Sequence, residues 1–174
     1  LDELGKNRID YIDALFFEVF SKVNTVANEW IAYEEVFTTS LGNDVGSSLG
    51  FLINELNYEL EFTKNFKIGI PAGIKLDNPS ILPEKLEGYY SQHNSSSFIL
   101  ANIKSVENIY LGRSNTTNID GIGLNEYLIE LDAQYNNTSL SDAIQARFTA
   151  AIEAIEAIEN EEETMAELLT TNIT

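Results

Sequence analysis

The sequence has no cysteine, one histidine and few basic residues, and each shortage argues against a class of function. Without cysteine, the chain can form no disulfide, zinc–thiolate site or iron–sulfur cluster. With His93 as its single histidine it has no HExxH pair of zinc ligands, so a self-contained zinc peptidase is not expected. The 10 basic residues against 28 acidic ones give a net charge of −18, which repels nucleic acid.

Long apolar runs are also missing. None approaches the roughly 20 residues that a membrane-spanning helix needs, and no signal peptide is visible. Because the chain begins with Leu1 rather than methionine, we expect a processed form or an excised piece of a longer protein. Its 174 residues are enough for one domain with a sizeable core, or at most for two small ones.

What the sequence does contain is helical periodicity, which is clearest in the first 40 residues. Apolar side chains there follow a 3,4 spacing over about four heptads, and further apolar residues widen the stripe as in a bundle helix. The seam consists of Ile9, Ile12, Phe16, Val19, Val23, Val26, Trp30, Tyr33 and Phe37.

The same periodicity predicts four further helical segments, at residues 48–66, 95–110, 124–131 and from 139 onward. Ser47 or Ser48, the serines at 95–97, and Ser139 are candidate N-caps, and Gly112 is a candidate C-terminal stop. On the last helix, Glu153 and Glu156 fall on the side opposite the apolar face. The predicted fold is an all-α helical bundle that forms a single domain over residues 1–174.

Residues 67–94 lack helical periodicity and contain all three prolines. We expect an ordered loop, because six of its apolar residues can anchor it to the bundle: Ile68, Ile70, Ile74, Ile81, Leu82 and Leu86. Its second half concentrates the candidate ligand-binding residues, Glu87, Tyr90, Ser91 and His93. A carboxylate, a phenol, a hydroxyl and an imidazole together can bind a hard cation or a polar ligand.

Several short motifs in this region and beyond it resemble the imelysin-like family. Residues 54–56 (NEL) and 64–73 (KNFKIGIPAG) resemble a segment that enters its "GIPxG" turn, and residues 87–91 (EGYYS) are similar to its "E-x-x-[YF]-S" element. Residues 109–112 (IYLG) and 120–128 (DGIGLNEYL) resemble its "YLG" and "GxGLxDxL" elements. The matches run in order from about residue 40 to 158.

The resemblance implies a two-bundle, all-α protein with a ligand or metal site in the cleft between its domains. It implies export to the bacterial periplasm or outer membrane, often as a lipoprotein, and a role in iron uptake. The bound species would be iron or another divalent cation in the full-length protein. Cell-envelope iron-uptake proteins are the implied partners, whereas nucleic acid is not expected.

The sequence departs from the family in ways that suggest a C-terminal half. The family's "GxHxxE" motif belongs to the N-terminal half and is absent here, and Asn125 stands where the family often has an acid. We therefore expect the missing half, or a second chain, to cover an exposed apolar surface. Two alternatives to a binding protein in iron acquisition stay open: an imelysin-type metallopeptidase and a non-catalytic protein-interaction scaffold.

Overall fold

The computed structural model describes residues 3–75, 77, 80–91, 94–114, 116–117 and 119–171. The helices are α1 (Glu3–Thr39), α2 (Ser48–Phe62), α3 (Asn94–Tyr110), α4 (Leu124–Glu130), α5 (Leu140–Glu159) and α6 (Met165–Thr171). The predicted all-α class is confirmed. No helix of the described ranges is long and apolar enough to cross a membrane. The chain separates into two compact units, Leu1–Ile53 and Asn54–Thr174.

The first unit is dominated by the long helix α1, whose apolar seam is exposed. No residue of α1 is buried, and Phe16 and Ile31 are each 72% exposed. The aromatic side chains contact one another along the helix, with the Trp30 and Phe37 rings 5.2 Å apart.

Helix α2 begins where the sequence predicts, because Ser47 caps it. The Ser47 hydroxyl accepts a hydrogen bond from the Gly50 backbone N–H at 3.1 Å. The helix does not stop near Phe66 as expected, since its last turns become a π-helix over Thr63–Gly69. The Ile70 N–H then donates to the Asn65 carbonyl, five residues back, at 2.9 Å. A seven-residue π-helix leaves no 3,4 apolar spacing in the sequence, so the periodicity is lost before the helical backbone ends.

The core of the second unit is formed mainly by α3 and α5. The Tyr110 and Phe148 rings lie 5.8 Å apart, and Lys104 bridges to Glu156 at 2.7 Å on the surface. The buried apolar residues are Leu86, Ile99, Leu100, Ile103, Val106, Tyr110, Leu111, Phe148, Ile155 and Met165.

Helix α3 ends at a glycine turn, as predicted. Gly112 has φ of +66°, and a Cβ at this position would lie 2.8 Å from the backbone nitrogen of Gly123. Gly123 in turn precedes α4, where its N–H donates to the Glu126 carboxylate at 2.8 Å. Two backbone segments therefore cross at a distance that only glycine allows.

A short β-hairpin, which was not predicted from the sequence, precedes α5. Strands β1 (Gln134–Tyr135) and β2 (Thr138–Ser139) pair antiparallel across Asn136 and Asn137, which have φ of 50° and 61°. Ser139 is confirmed as the N-cap of α5, accepting a hydrogen bond from the Asp142 N–H. Residues after Asn160 do not extend α5 but form the separate helix α6.

The described part of the 67–94 segment contains two short 3-10 helices, Pro83–Lys85 and Tyr89–Ser91. Pro71 is fully buried, and its carbonyl accepts a hydrogen bond from the Leu82 N–H at 2.9 Å. The predicted apolar anchoring is only partly correct. Leu86 is buried, but Ile74 is 74% exposed because it follows the tight turn at Gly73.

Candidate functional site

Three of the four predicted ligand-binding residues lie in one short stretch around the second 3-10 helix. Leu86 anchors this stretch in the core with 4% exposure, and Gly88 makes the turn that follows it with φ of +74°. A side chain at Gly88 would meet the Phe98 ring and the Ser91 hydroxyl, each at 2.9 Å. The backbone is therefore held closely against α3, and Glu87, Tyr90 and Ser91 lie on its exposed side.

Glu87 is oriented by an ion pair that the sequence did not suggest. Its carboxylate lies 2.8 Å from the Lys67 ammonium, whose side chain is only 16% exposed, whereas that of Glu87 is 50% exposed. Lys67 also lies over the Phe62 ring at 5.9 Å from its centroid. The π-helix thus fixes the carboxylate, and part of that carboxylate remains open to solvent.

Tyr90 and Ser91 differ in how they are held. The Tyr90 side chain is 94% exposed and its ring contacts only the edge of Tyr89 among the ring pairs described, with centroids 5.1 Å apart. The Ser91 hydroxyl donates to the Gly88 carbonyl at 2.7 Å rather than to the Glu87 carboxylate. His93 lies outside the described residues. The ligand-binding roles of the four residues stay predictions.

No preassembled metal centre is found in the described ranges, which contain no group of three or more His, Cys, Asp or Glu side chains able to hold an ion. The carboxylate of Glu126, outside this stretch, instead stabilises the start of α4. The carboxylate of Glu126 accepts hydrogen bonds from the Gly123 N–H and the Asn125 amide, each at 2.8 Å, and the Gly123 bond holds its pKa below the ordinary value.

A buried polar network joins α3 to α5. The Tyr110 hydroxyl donates to the Ser141 hydroxyl at 3.2 Å, and the Gln145 amide donates to the same oxygen at 3.2 Å. Burial raises the pKa of Tyr110. The hydrogen bond to Ser141 lowers this pKa, whereas the nearby carboxylates of Glu126 and Asp142 raise it further. A phenol with a raised pKa stays neutral at physiological pH, so this network is suited to packing and not to proton transfer.

A large concave feature of the second unit is an apolar groove of about 950 Å³. This groove was not predicted from the sequence. Leu60 of α2 and the π-helix form one side of the groove, and α5 and the β1–β2 hairpin form the other. Residues that line it include Leu60, Ile68, Ile103, Leu140, Ile144 and Ile155. The available sequence signal was the run of alanines on α5, which cannot fill the space beside them.

The rim of the groove carries both charge signs. On the π-helix side, Glu61 accepts hydrogen bonds from Lys64 and Asn65. The Lys64 bond is the main reason that the pKa of Glu61 lies below its ordinary value. On the α5 side, Arg147 is exposed and makes no ion pair with any described residue.

Comparison with known proteins assigns the chain to a family over nearly its whole length. The family model described as Imelysin matches residues 3–172. The match therefore includes α1, which precedes the motifs recognised in the sequence. No curated protein and no solved structure matches the chain.

Proposed function

This chain belongs to the imelysin family, and we propose that it is a non-catalytic binding component of iron acquisition in the bacterial cell envelope. We infer export to the periplasm or the outer membrane from the family resemblance. In this proposal the chain is the C-terminal half of a longer protein, and the stretch from Glu87 to Ser91 forms one wall of its binding cleft.

The observation that best supports binding at this stretch is the combination of a fixed carboxylate with a fully presented phenol. Lys67 orients Glu87 at 2.8 Å, and Tyr90 is 94% exposed although aromatic side chains are usually at least half-buried. Carboxylate and phenolate oxygens are hard donors, and tyrosine oxygen is an established protein ligand of ferric iron. The donor set therefore suits iron as cargo, completed by groups outside this chain or by a chelating small molecule.

The test is a titration of the protein with ferric citrate, followed by the visible absorption band that a tyrosinate–iron contact produces. We expect Tyr90→Phe to abolish the band and to weaken binding by about tenfold or more, a loss of one good ligand. The matched control is Tyr89→Phe, because Tyr89 neighbours Tyr90 but is only 38% exposed. A wild-type protein that shows no band, or a Tyr90→Phe variant that keeps it, would refute the iron-binding role of this segment.

A scaffold role is the second candidate, and the exposed seam of α1 favours it. None of the 37 residues of α1 is buried, and its large apolar side chains form a continuous stripe. Such a surface is typical of a protein–protein interface. A protein that binds no ferric citrate, but whose α1 seam is protected from hydrogen–deuterium exchange or labelling by an envelope partner, would favour the scaffold.

A further inference from the structure

The apolar groove beside α5 contains a cation that no residue of the described ranges neutralises. Only Glu61, Lys64 and Arg147 are charged among the residues that line it. Lys64 is paired with Glu61, and Asn65 donates to the second oxygen of that carboxylate at 2.9 Å. Arg147 is exposed and forms no ion pair with a described residue. The groove therefore has a net positive charge in a chain whose net charge is −18.

Arg147 lies at the centre of the α5 wall of the groove. The wall residues Leu140, Ile144, Arg147, Ala151 and Ala154 all line the groove and follow one another at intervals of four and three. Residues at these intervals share one face of a helix. The guanidinium thus interrupts an otherwise apolar strip. Such a surface matches a ligand that is apolar along most of its length and carries one negative group.

The open space lies on the C-terminal side of Arg147. On the N-terminal side, Ile144 and the β1–β2 hairpin occupy the groove, whereas Ala151 and Ala154 leave the other side unfilled. Ile155 lines that side, and it lies eight residues beyond Arg147, or about 12 Å along the helix axis. An extended chain of ten carbons is about 11 Å long, given C–C bonds of about 1.5 Å. The space therefore fits one medium-length alkyl chain.

We propose that the groove binds a medium-chain fatty acid, with its carboxylate on Arg147 and its alkyl chain beside Ala151 and Ala154. A guanidinium can bind a carboxylate through two parallel hydrogen bonds, and the apolar walls remove the chain from water. The opposite wall is the π-helix, and π-helical turns occur frequently at functional sites. This site does not depend on an iron-binding role of Glu87 and Tyr90.

Calorimetric titration with decanoate tests the charge pairing. We expect the wild-type chain to bind decanoate with a Kd on the order of 10–100 µM, as suits a small ligand in a half-open groove. Arg147→Gln should weaken this binding by about tenfold or more, because the charge-assisted hydrogen bonds are lost. Decan-1-ol has the same chain without the charge, so the wild type and Arg147→Gln should bind it equally, within about threefold.

Arg113→Gln is the matched control for the loss of a positive charge. Arg113 is paired with Asp120 at 3.4 Å and does not line the groove. We expect this variant to bind decanoate within about threefold of wild type, since a charge outside the groove is screened by salt. Circular dichroism confirms that each variant is folded.

A second pair of variants tests the position of the alkyl chain. Ala154→Phe places a ring in the space that the chain needs and should weaken decanoate binding by about tenfold or more. Ala157→Phe is its control, because Ala157 is an exposed residue of the same helix that does not line the groove. Octanoate, which lacks two methylene groups, should bind the wild type about tenfold or more weakly than decanoate.

Three results would overturn the proposal. One is a wild-type chain that binds no decanoate at about 1 mM, well above the expected Kd. Another is an Arg147→Gln variant that binds decanoate as tightly as the wild type, or that loses decan-1-ol to the same extent. The third is self-association in sedimentation equilibrium that Ala154→Phe abolishes, because the groove would then be occupied by a second copy of the chain.

Discussion

Ser141 shows at the scale of a single residue how the second unit uses buried polar groups. It is 0% exposed and receives hydrogen bonds from both Tyr110 and Gln145. We predict that Ser141→Ala lowers the free energy of unfolding by about 1–3 kcal/mol, because the buried Tyr110 hydroxyl loses its acceptor. Urea denaturation followed by circular dichroism measures the change.

The double variant Tyr110→Phe/Ser141→Ala is the control for this interpretation. It removes donor and acceptor together, so most of the lost stability should return. A double variant that is less stable than Ser141→Ala alone would mean that the two hydroxyls contribute by packing and not through their hydrogen bond.

Glu126 is the residue whose charge state should be visible in the pH dependence of stability. Its pKa is lowered in the folded chain, chiefly by the hydrogen bond from the Gly123 N–H. A carboxylate with a lowered folded pKa contributes stability at neutral pH that is lost as the pH falls through that pKa. We therefore predict that Glu126→Gln lowers the Tm at neutral pH, and that the difference from wild type shrinks towards about pH 3.

Thermal melts across this pH range measure the effect, and Glu130→Gln is the control. Glu130 lies in the last turn of the same helix, away from its N-terminus. An equal and pH-independent effect of both substitutions would show that the capping interaction of Glu126 is not the cause.

At the candidate site, the sequence predicted the residues that share the stretch but not the contact that orients Glu87. The motif at residues 87–91 indicated a loop with a carboxylate, a phenol and a hydroxyl, and the structure places Glu87, Tyr90 and Ser91 on one exposed stretch. It could not indicate that Lys67, 20 residues earlier, binds the carboxylate. That contact depends on where the π-helix lies against the loop, and no local pattern encodes it.

At the scale of helices and turns, the predictions succeed where a local interaction determines the end of an element. Ser47 and Ser139 cap α2 and α5 through their own hydroxyls, and Gly112 ends α3 with a left-handed backbone. The π-helix was missed because its five-residue hydrogen bonds lack a sequence signature. The separate α6 was missed for a different reason: the apolar spacing continues, but Thr164 caps a new helix by pairing with Glu167.

The turn after α3 yields a prediction about glycine. Gly112→Ala should lower the free energy of unfolding by about 1–2 kcal/mol or more, from the left-handed conformation alone. Its Cβ would in addition lie 2.8 Å from backbone atoms of Ile122 and Gly123, which cannot rotate away. Gly121→Ala is the matched control, since its Cβ would meet only the Gly112 carbonyl oxygen at 3.2 Å. Equal urea midpoints for both variants would contradict the argument.

At the scale of the whole molecule, composition and periodicity were sufficient to predict the fold class. The order of the motifs was sufficient to predict the family. They were not sufficient to predict which apolar surfaces are buried and which remain exposed. The exposed seam of α1 has the same 3,4 pattern as the buried face of α3, because periodicity reports that a face is apolar and not what covers it. The groove left only the alanine run of α5 as a signal in the sequence, since it arises where α2, the π-helix and α5 pack without filling the space between them.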